Sequence, residues 1–191
     1  MSVLCVIPAR YASTRFPGKV LREINGKPLV KWVWEAARSA KKVDRVIIAT
    51  ENTRVAKAAK AWGAEMALTS QEHPSGTDRV AEVASRFPAD IIINLQGDEP
   101  LMRGPHIDTL VQSLLEDGSL LIATLATPCP PDEVDMPSVV KVVTNARGNA
   151  LYFSRSPIPY PRNGKPGYLK HLGIYGYRAA TLRKFVRLPQ T

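Results

Sequence analysis

Cysteine is scarce in this sequence. Cys5 and Cys129 are the two present in 191 residues. One lies in an apolar run and the other in a Pro-rich stretch, far apart, which excludes a disulfide framework or a knuckle of paired thiols and suits a reducing, cytoplasmic setting. Long hydrophobic runs are also missing. No stretch approaches the roughly 18 apolar residues that a membrane-spanning helix needs, so no membrane insertion is expected. The opening MSVLCVIPAR carries neither a basic leader nor a cleavage site, so no secretion signal is expected. Acidic residues fall short of basic ones, 17 against 26, for a formal net charge of +9. Such a surplus makes either a solvated basic surface or a face for a polyanion. The basic residues are spread along the chain, and neither zinc-finger spacing nor an RNA-recognition aromatic signature occurs. Those absences argue against nucleic acid and leave small phosphorylated ligands.

What is present is an alternation of short apolar runs with helical patterns. SVLCVI (2–7), RVIIAT (45–50), EMALT (65–69), DIIINLQ (90–96) and LLIATLAT (120–127) read as strands. Between them, Leu29, Trp32, Val33, Ala36, Ala37 and Ala40 recur at helical spacing, after Gly26-Lys27-Pro28 as a helix start. Val55, Ala58, Ala59 and Trp62 mark a second helix, stopped by Gly63. Val80, Val83, Ala84 and Phe87 mark a third, and Ile107, Leu110, Val111, Leu114 and Leu115 a fourth. This order predicts an α/β fold with a mixed, mostly parallel sheet flanked by helices. After residue 130 the rhythm breaks. SVVKVV (138–143), ALYF (150–153) and HLGIYGY (171–177) read as an antiparallel C-terminal excursion, with a long loop at 154–168 that holds four prolines. Without a linker or repeat, a single domain over 1–191 is expected, ending in a helix at 179–186.

Ligands of open α/β sheets bind at the carboxyl ends of the strands, and three polar clusters fall there. The first is IPARYASTRFPGK (7–19). It is not a P-loop, because Ser13 stands where the first glycine belongs and Val20 follows Lys19 in place of Ser or Thr; the dinucleotide GxGxxG is absent as well. It nevertheless combines small residues (Ala9, Ala12, Ser13, Gly18) that let backbone approach a ligand with three cations, Arg10, Arg15 and Lys19, that suit phosphate oxygens. The second cluster, HPSGTDR (73–79), reads as an ordinary N-cap through Ser75 or Thr77 and equally as a helix N-terminus offering amides to an anion or a base edge. The third, NLQGDEP (94–100), runs three isoleucines into polar residues. A carboxylate at the end of a buried central strand either caps or binds, and Asp98 is placed to hold Mg²⁺ together with substrate phosphates.

IPARYASTRFPGK, HPSGTDR, NLQGDEP, SVVKVV, ALYFSRSPIPY and LKHLGIYGY occur in this order in the 3-deoxy-manno-octulosonate (Kdo) cytidylyltransferases, and the sequence resembles that family over essentially its whole length. The resemblance implies a nucleotide-diphospho-sugar transferase fold and a homodimer. It implies the reaction of CTP with Kdo to give CMP-Kdo and pyrophosphate, for lipopolysaccharide biosynthesis in the bacterial cytoplasm. Carried over by position, it implies CTP binding by Ala9, Arg10, Ser13, Arg15, Lys19, Ser75, Gly76, Thr77 and Gln96. Catalysis falls to Arg10, Lys19 and Asp98, with Mg²⁺ as cofactor on Asp98. The sugar acid falls to Arg79, Gln96, Ser154, Arg155, His171 and Tyr175; His171 reads equally as a satisfied sheet histidine. The family pattern continues beyond RLPQT with a further helix, a strand and a Gly-Val-Asp-Thr segment whose aspartate is a second metal ligand, so this chain is expected to be short of that C-terminal segment. Two other readings stand beside the main one: a cytidylyltransferase for another acidic sugar, such as 8-amino-Kdo or a sialic acid, and an inactive module that binds CTP or dimerises.

Overall fold

The computed structural model describes residues 1–12, 16–162, 164 and 167–189. These fall into two compact units, Met1–Ala123 with Ile174–Thr191, and Thr124–Gly173. The strands are β1 (Val3–Pro8), β2 (Glu23–Ile24), β3 (Lys27–Pro28), β4 (Arg45–Thr50), β5 (Glu65–Leu68), β6 (Ile91–Leu95), β7 (Ile122–Pro128), β8 (Lys141–Thr144), β9 (Ala150–Ser154) and β10 (Leu169–Arg178). The helices are α1 (Leu29–Ser39), α2 (Thr53–Ala61), α3 (Gly76–Arg86), α4 (Gly104–Glu116) and α5 (Ala179–Phe185). The expected α/β architecture is therefore present, and the strand boundaries differ from expectation by a few residues at most.

In the first unit, β5, β4, β1 and β6 lie side by side in parallel, and residues 174–178 of β10 add an antiparallel neighbour to β6. Cys5 is flanked by Val46 on one side and Ile93 on the other. Strands buried on both faces read as continuous apolar runs, which is why VLCVIP and IIINL carry no alternation and are buried throughout. One sheet face, with Leu4, Val6, Ile47, Ala49, Ala67, Ile92 and Tyr177, packs on Val80 and Val83 of α3 and Leu182 of α5. On the other, Gly176 lies close against Leu114 of α4 and the side chain of Ile93, and α4 packs against α1. The chain order β1, β4, β5 runs outward from β1, then returns to place β6 on its other side. The β1–β6 boundary is thus a topological switch point, where loops leave in opposite directions and open a crevice.

Two local expectations change. Gly26-Lys27-Pro28 does not open the helix. Asn25 and Gly26 both take positive φ, 52° and 73°, the tight turn that an Asn-Gly pair favours, and it closes a small β2–β3 ribbon before α1. The buried face of α1 is Leu29, Val30, Val33, Trp34 and Ala37, so Trp34 takes the core position that spacing assigned to Trp32. Trp32 instead lies half-buried, with its indole N–H donating to the Ile24 carbonyl at 3.0 Å.

The second unit carries the antiparallel excursion. β8 pairs β9, and Leu169 and Lys170 of β10 pair β8. Lys141 is fully buried there. Its ammonium donates to the carbonyls of Val139, at 2.7 Å, and Arg155, which supplies the partners that a buried cation requires.

Candidate active site

A cavity of about 440 Å³ opens at the carboxyl ends of β1 and β6, at the switch point. Its walls come from the three polar clusters. Pro8, Arg10, Ala12, Lys19 and Val20 line it from the loop after β1, Pro74, Ser75 and Gly76 from the start of α3, and Gln96, Gly97 and Asp98 from the end of β6. Arg10, Lys19, Ser75, Gly76, Gln96 and Asp98, expected to act together, are therefore gathered at one cavity.

Each is held by local chemistry. The Arg10 guanidinium donates through Nη2 to the His73 carbonyl at 2.8 Å, which fixes the side chain across the crevice. Lys19 begins a short 3₁₀ turn, Lys19–Leu21. Its Nζ lies 2.7 Å from Asp98 Oδ2, and both side chains are about half exposed. Half-exposed ions in this geometry exchange partners at little cost, since such surface pairs contribute about 0–1 kcal/mol. Ser75 is the N-cap of α3 in a reciprocal capping box with Asp78: Ser75 Oγ accepts from the Asp78 amide at 3.2 Å, and Asp78 Oδ2 accepts from the Ser75 amide at 3.1 Å. Ser75 thus serves as the cap of α3 and also lines the cavity. Gln96 Nε2 donates to Asn94 Oδ1 at 3.0 Å, and the buried Asn94 donates to Thr77 Oγ1 at 3.3 Å. Gly97 sits where a Cβ would lie 2.9 Å from the Pro8 carbonyl oxygen, so the close approach of β1 and β6 ends requires glycine.

The remaining expected residues are placed elsewhere. Ala9 is fully buried, with its amide bonded to the Ala49 carbonyl at 2.8 Å; it anchors the loop and does not line the cavity. Thr77 is bonded to Asn94 and likewise stands behind the wall. Ser13 and Arg15 lie outside the described residues. Arg79, assigned to the sugar acid by resemblance, is 1% exposed in the first unit and does not line the cavity. It donates to Thr69 Oγ1, and its Nη2 lies 3.1 Å from Glu51 Oε2. Burial pushes its pKa below the ordinary arginine value, Glu51 opposes that shift, and the positive charge of Arg10 adds to it. Tyr175 is half-buried on β10 opposite Asn94, and burial raises its pKa.

Ser154, Arg155 and His171 belong to the second unit. Ser154 Oγ accepts from the Ser156 amide at 3.0 Å, and the exposed Arg155 donates through Nη1 to the Pro137 carbonyl at 2.5 Å. His171 Nε2 lies 2.9 Å from Thr124 Oγ1, and its ring meets Phe153 edge-on at 5.1 Å. Burial lowers its pKa. Both of these partners, Thr124 and Phe153, lie in the same unit as His171.

Sequence reasoning passed over Glu51. It follows strand RVIIAT directly, the same strand-end position that singled out Asp98, and its Oε1 accepts from the Tyr11 amide at 2.9 Å and the Ala12 amide at 3.5 Å.

The cytidylyltransferase family model matches residues 4–191. The chain is 50% identical to the 3-deoxy-manno-octulosonate cytidylyltransferase of Escherichia coli over 187 residues, which are 97% of this chain and 76% of that protein. It is 48% identical to the enzyme of the same name from Acidobacterium capsulatum, over 99% of this chain and 78% of that one. Among solved structures, CMP:2-keto-3-deoxy-manno-octonic acid synthetase complexed with CTP superposes with a TM-score of 0.94 at 48% identity, covering all of this chain and 80% of the other. A cytidylyltransferase from Leptospira borgpetersenii shares the fold, with a TM-score of 0.67 at 20% identity.

Proposed function

The chain belongs to the cytidylyltransferase family, and on that premise we propose how its residues carry out the reaction of CTP with Kdo that yields CMP-Kdo and pyrophosphate. The observation that carries the reading is the convergence at the β1–β6 crevice of two cations, the start of α3 and a half-exposed carboxylate. The anomeric hydroxyl of Kdo attacks the α-phosphorus of CTP, and the bond to the β-phosphate oxygen breaks. There is little covalent work for the protein in such a transfer, so positioning and charge stabilisation dominate. Arg10 and Lys19 bind the phosphates; Lys19, released from Asp98, offsets charge developing at the transferred group. Ser75 and Gly76, with Gln96 beside them, border the nucleotide from the opposite wall.

The donor set fits Mg²⁺ in one specific way. Among the described residues no cluster of three or more His, Cys, Asp or Glu could form a closed cage, while Asp98 offers one half-exposed carboxylate at the cavity wall. Mg²⁺ typically takes one or two carboxylates and completes its shell with phosphate oxygens and water, so Asp98 would hold it jointly with CTP. Bound there, it would neutralise phosphate charge.

The same reading includes a homodimer, supported by edge strand β9, whose Leu151 and Tyr152 are 65% and 66% exposed. It includes lipopolysaccharide biosynthesis in the cytoplasm; the two free thiols agree with a reducing compartment. The deciding experiment is pyrophosphate release by this chain with CTP, Mg²⁺ and Kdo, against controls lacking each. Release is expected only with all three present. Release without Kdo, or equal rates with a sialic acid, would overturn the substrate assignment.

A further inference from the structure

The described residues just before and after Arg10, 9–12, lie outside any helix or strand, yet they are tied down from behind. Glu51 Oε1 accepts the Tyr11 amide at 2.9 Å and lies 3.5 Å from the Ala12 amide. Its other oxygen faces Arg79 Nη2 at 3.1 Å, in an ion pair with side-chain exposures of 1% and 9%. That contact is close enough to neutralise charge but is off the hydrogen-bond axis, so Oε2 has no directed partner among the described residues. Arg79 also donates to Thr69 Oγ1. One buried pair thus joins the end of β4 (Glu51), the end of β5 (Thr69), helix α3 (Arg79) and the loop after β1 (Tyr11, Ala12).

We propose that Glu51 is a positioning residue for the nucleotide phosphates. Its carboxylate, held in place by Arg79, fixes the backbone at Tyr11 and Ala12, so that Arg10 and the amides beside it are ordered before CTP arrives. A charged acceptor suits this task, because hydrogen bonds to an ionised group are shorter and about twice as strong as neutral ones. Burial also matters. A carboxylate shielded from solvent keeps its strength as an acceptor, and Arg79 supplies the countercharge that makes its burial tolerable. Arg79 then acts one step further back, on Glu51, and not on the sugar acid.

The last step of this inference rests on the nucleotide reading above, so its test has two readouts. Amide hydrogen exchange is measured by NMR at Tyr11, Ala12 and, as a β1 reference, Val6, in the full chain and in Glu51→Ala and Glu51→Gln; CTP affinity is measured by calorimetry on the same proteins. In Glu51→Ala, exchange at Tyr11 and Ala12 is expected to speed up at least about tenfold, with Val6 unchanged and the Kd for CTP about tenfold higher, the scale of one lost hydrogen bond to a charged group. Glu51→Gln retains a neutral acceptor of the same volume and is expected to fall between; it carries both readouts if the alanine variant does not fold. Unchanged exchange at Tyr11 and Ala12 overturns the tether. Equal acceleration at Val6 overturns it as well, since that marks loss of the fold and not release of one loop. Fast exchange with unchanged CTP affinity overturns the link to the nucleotide. A wild-type chain that binds no CTP overturns the nucleotide reading, and exchange then judges the tether separately.

Discussion

Gly97→Ala tests whether the crevice depends on the close approach of β1 and β6. The backbone of Gly97 lies outside the left-handed region, so alanine meets no conformational penalty there. The obstacle is steric. The new Cβ would lie 2.9 Å from the Pro8 carbonyl oxygen, a backbone atom that cannot swing aside, with Ile7 Cγ2 at 3.6 Å and Ala9 Cα at 3.7 Å. Relief requires the two strand ends to separate by about 0.5 Å to reach ordinary contact. Overpacking of this kind costs about 1–3 kcal/mol, or roughly 2–12 °C in Tm for a chain of this size. The same shift moves Asp98 and Gln96 away from Arg10. A 1 Å misplacement costs on the order of 10²-fold in rate, so half that displacement should lower kcat about tenfold. Thermal unfolding and steady-state pyrophosphate release measure the two effects. Gly118→Ala is the control, because nothing lies within 4 Å of its added Cβ; it should shift stability by less than about 1 kcal/mol in either direction and leave kcat alone. If Gly97→Ala behaves like the control in both assays, the strand ends are not positioning the site and the reasoning fails.

Three further outcomes are expected. Lys19→Ala should lower kcat on the order of 10²–10³-fold, the scale for losing one group aimed at developing charge, with a much smaller rise in the KM for CTP; a change confined to KM would mean that Lys19 only binds. Asp98→Asn should greatly reduce the rate and shift the Mg²⁺ titration to higher concentrations, and an unchanged titration would remove Asp98 from the metal. His171 has a pKa lowered by burial from its ordinary 6.5. The unfolded chain therefore takes up this proton more readily than the folded one, so stability is complete above about pH 6.5 and is lost as pH falls below it. His171→Gln should make the fall in Tm between pH 7 and 5 shallower, and an identical slope in both proteins would contradict that.

The strand-end rule and the burial of parallel strands account for most of what was legible in advance. VLCVIP, RVIIAT and IIINL announce themselves because strands covered on both faces need no polar alternation. Asp98 was visible because a carboxylate just after a buried central strand either caps or binds, and Lys19 and Ser75 because they sit in polar clusters that follow such strands. Glu51 met the same criterion and was passed over; in the structure it directly precedes Asn52, the cap of α2, whose side chain accepts from the Arg54 amide. Arg79 was harder. Spacing along α3 places it beside Val80 on the inward face, but composition makes arginine an exposed residue by default.

By itself the sequence determined the main strands and helices, their order and the composition of the strand-end loops, though not the β2–β3 ribbon, because apolar periodicity and capping act over a few neighbouring residues. Tertiary structure alone decided which charges face the cavity and which face one another. Arg10 reaches the crevice and Arg79 the interior, although both are arginines in polar strand-end clusters. The difference lies in a carboxylate from another strand, Glu51, close enough to make burial of one guanidinium tolerable. Pairing of that kind depends on distance in space, which no local pattern encodes.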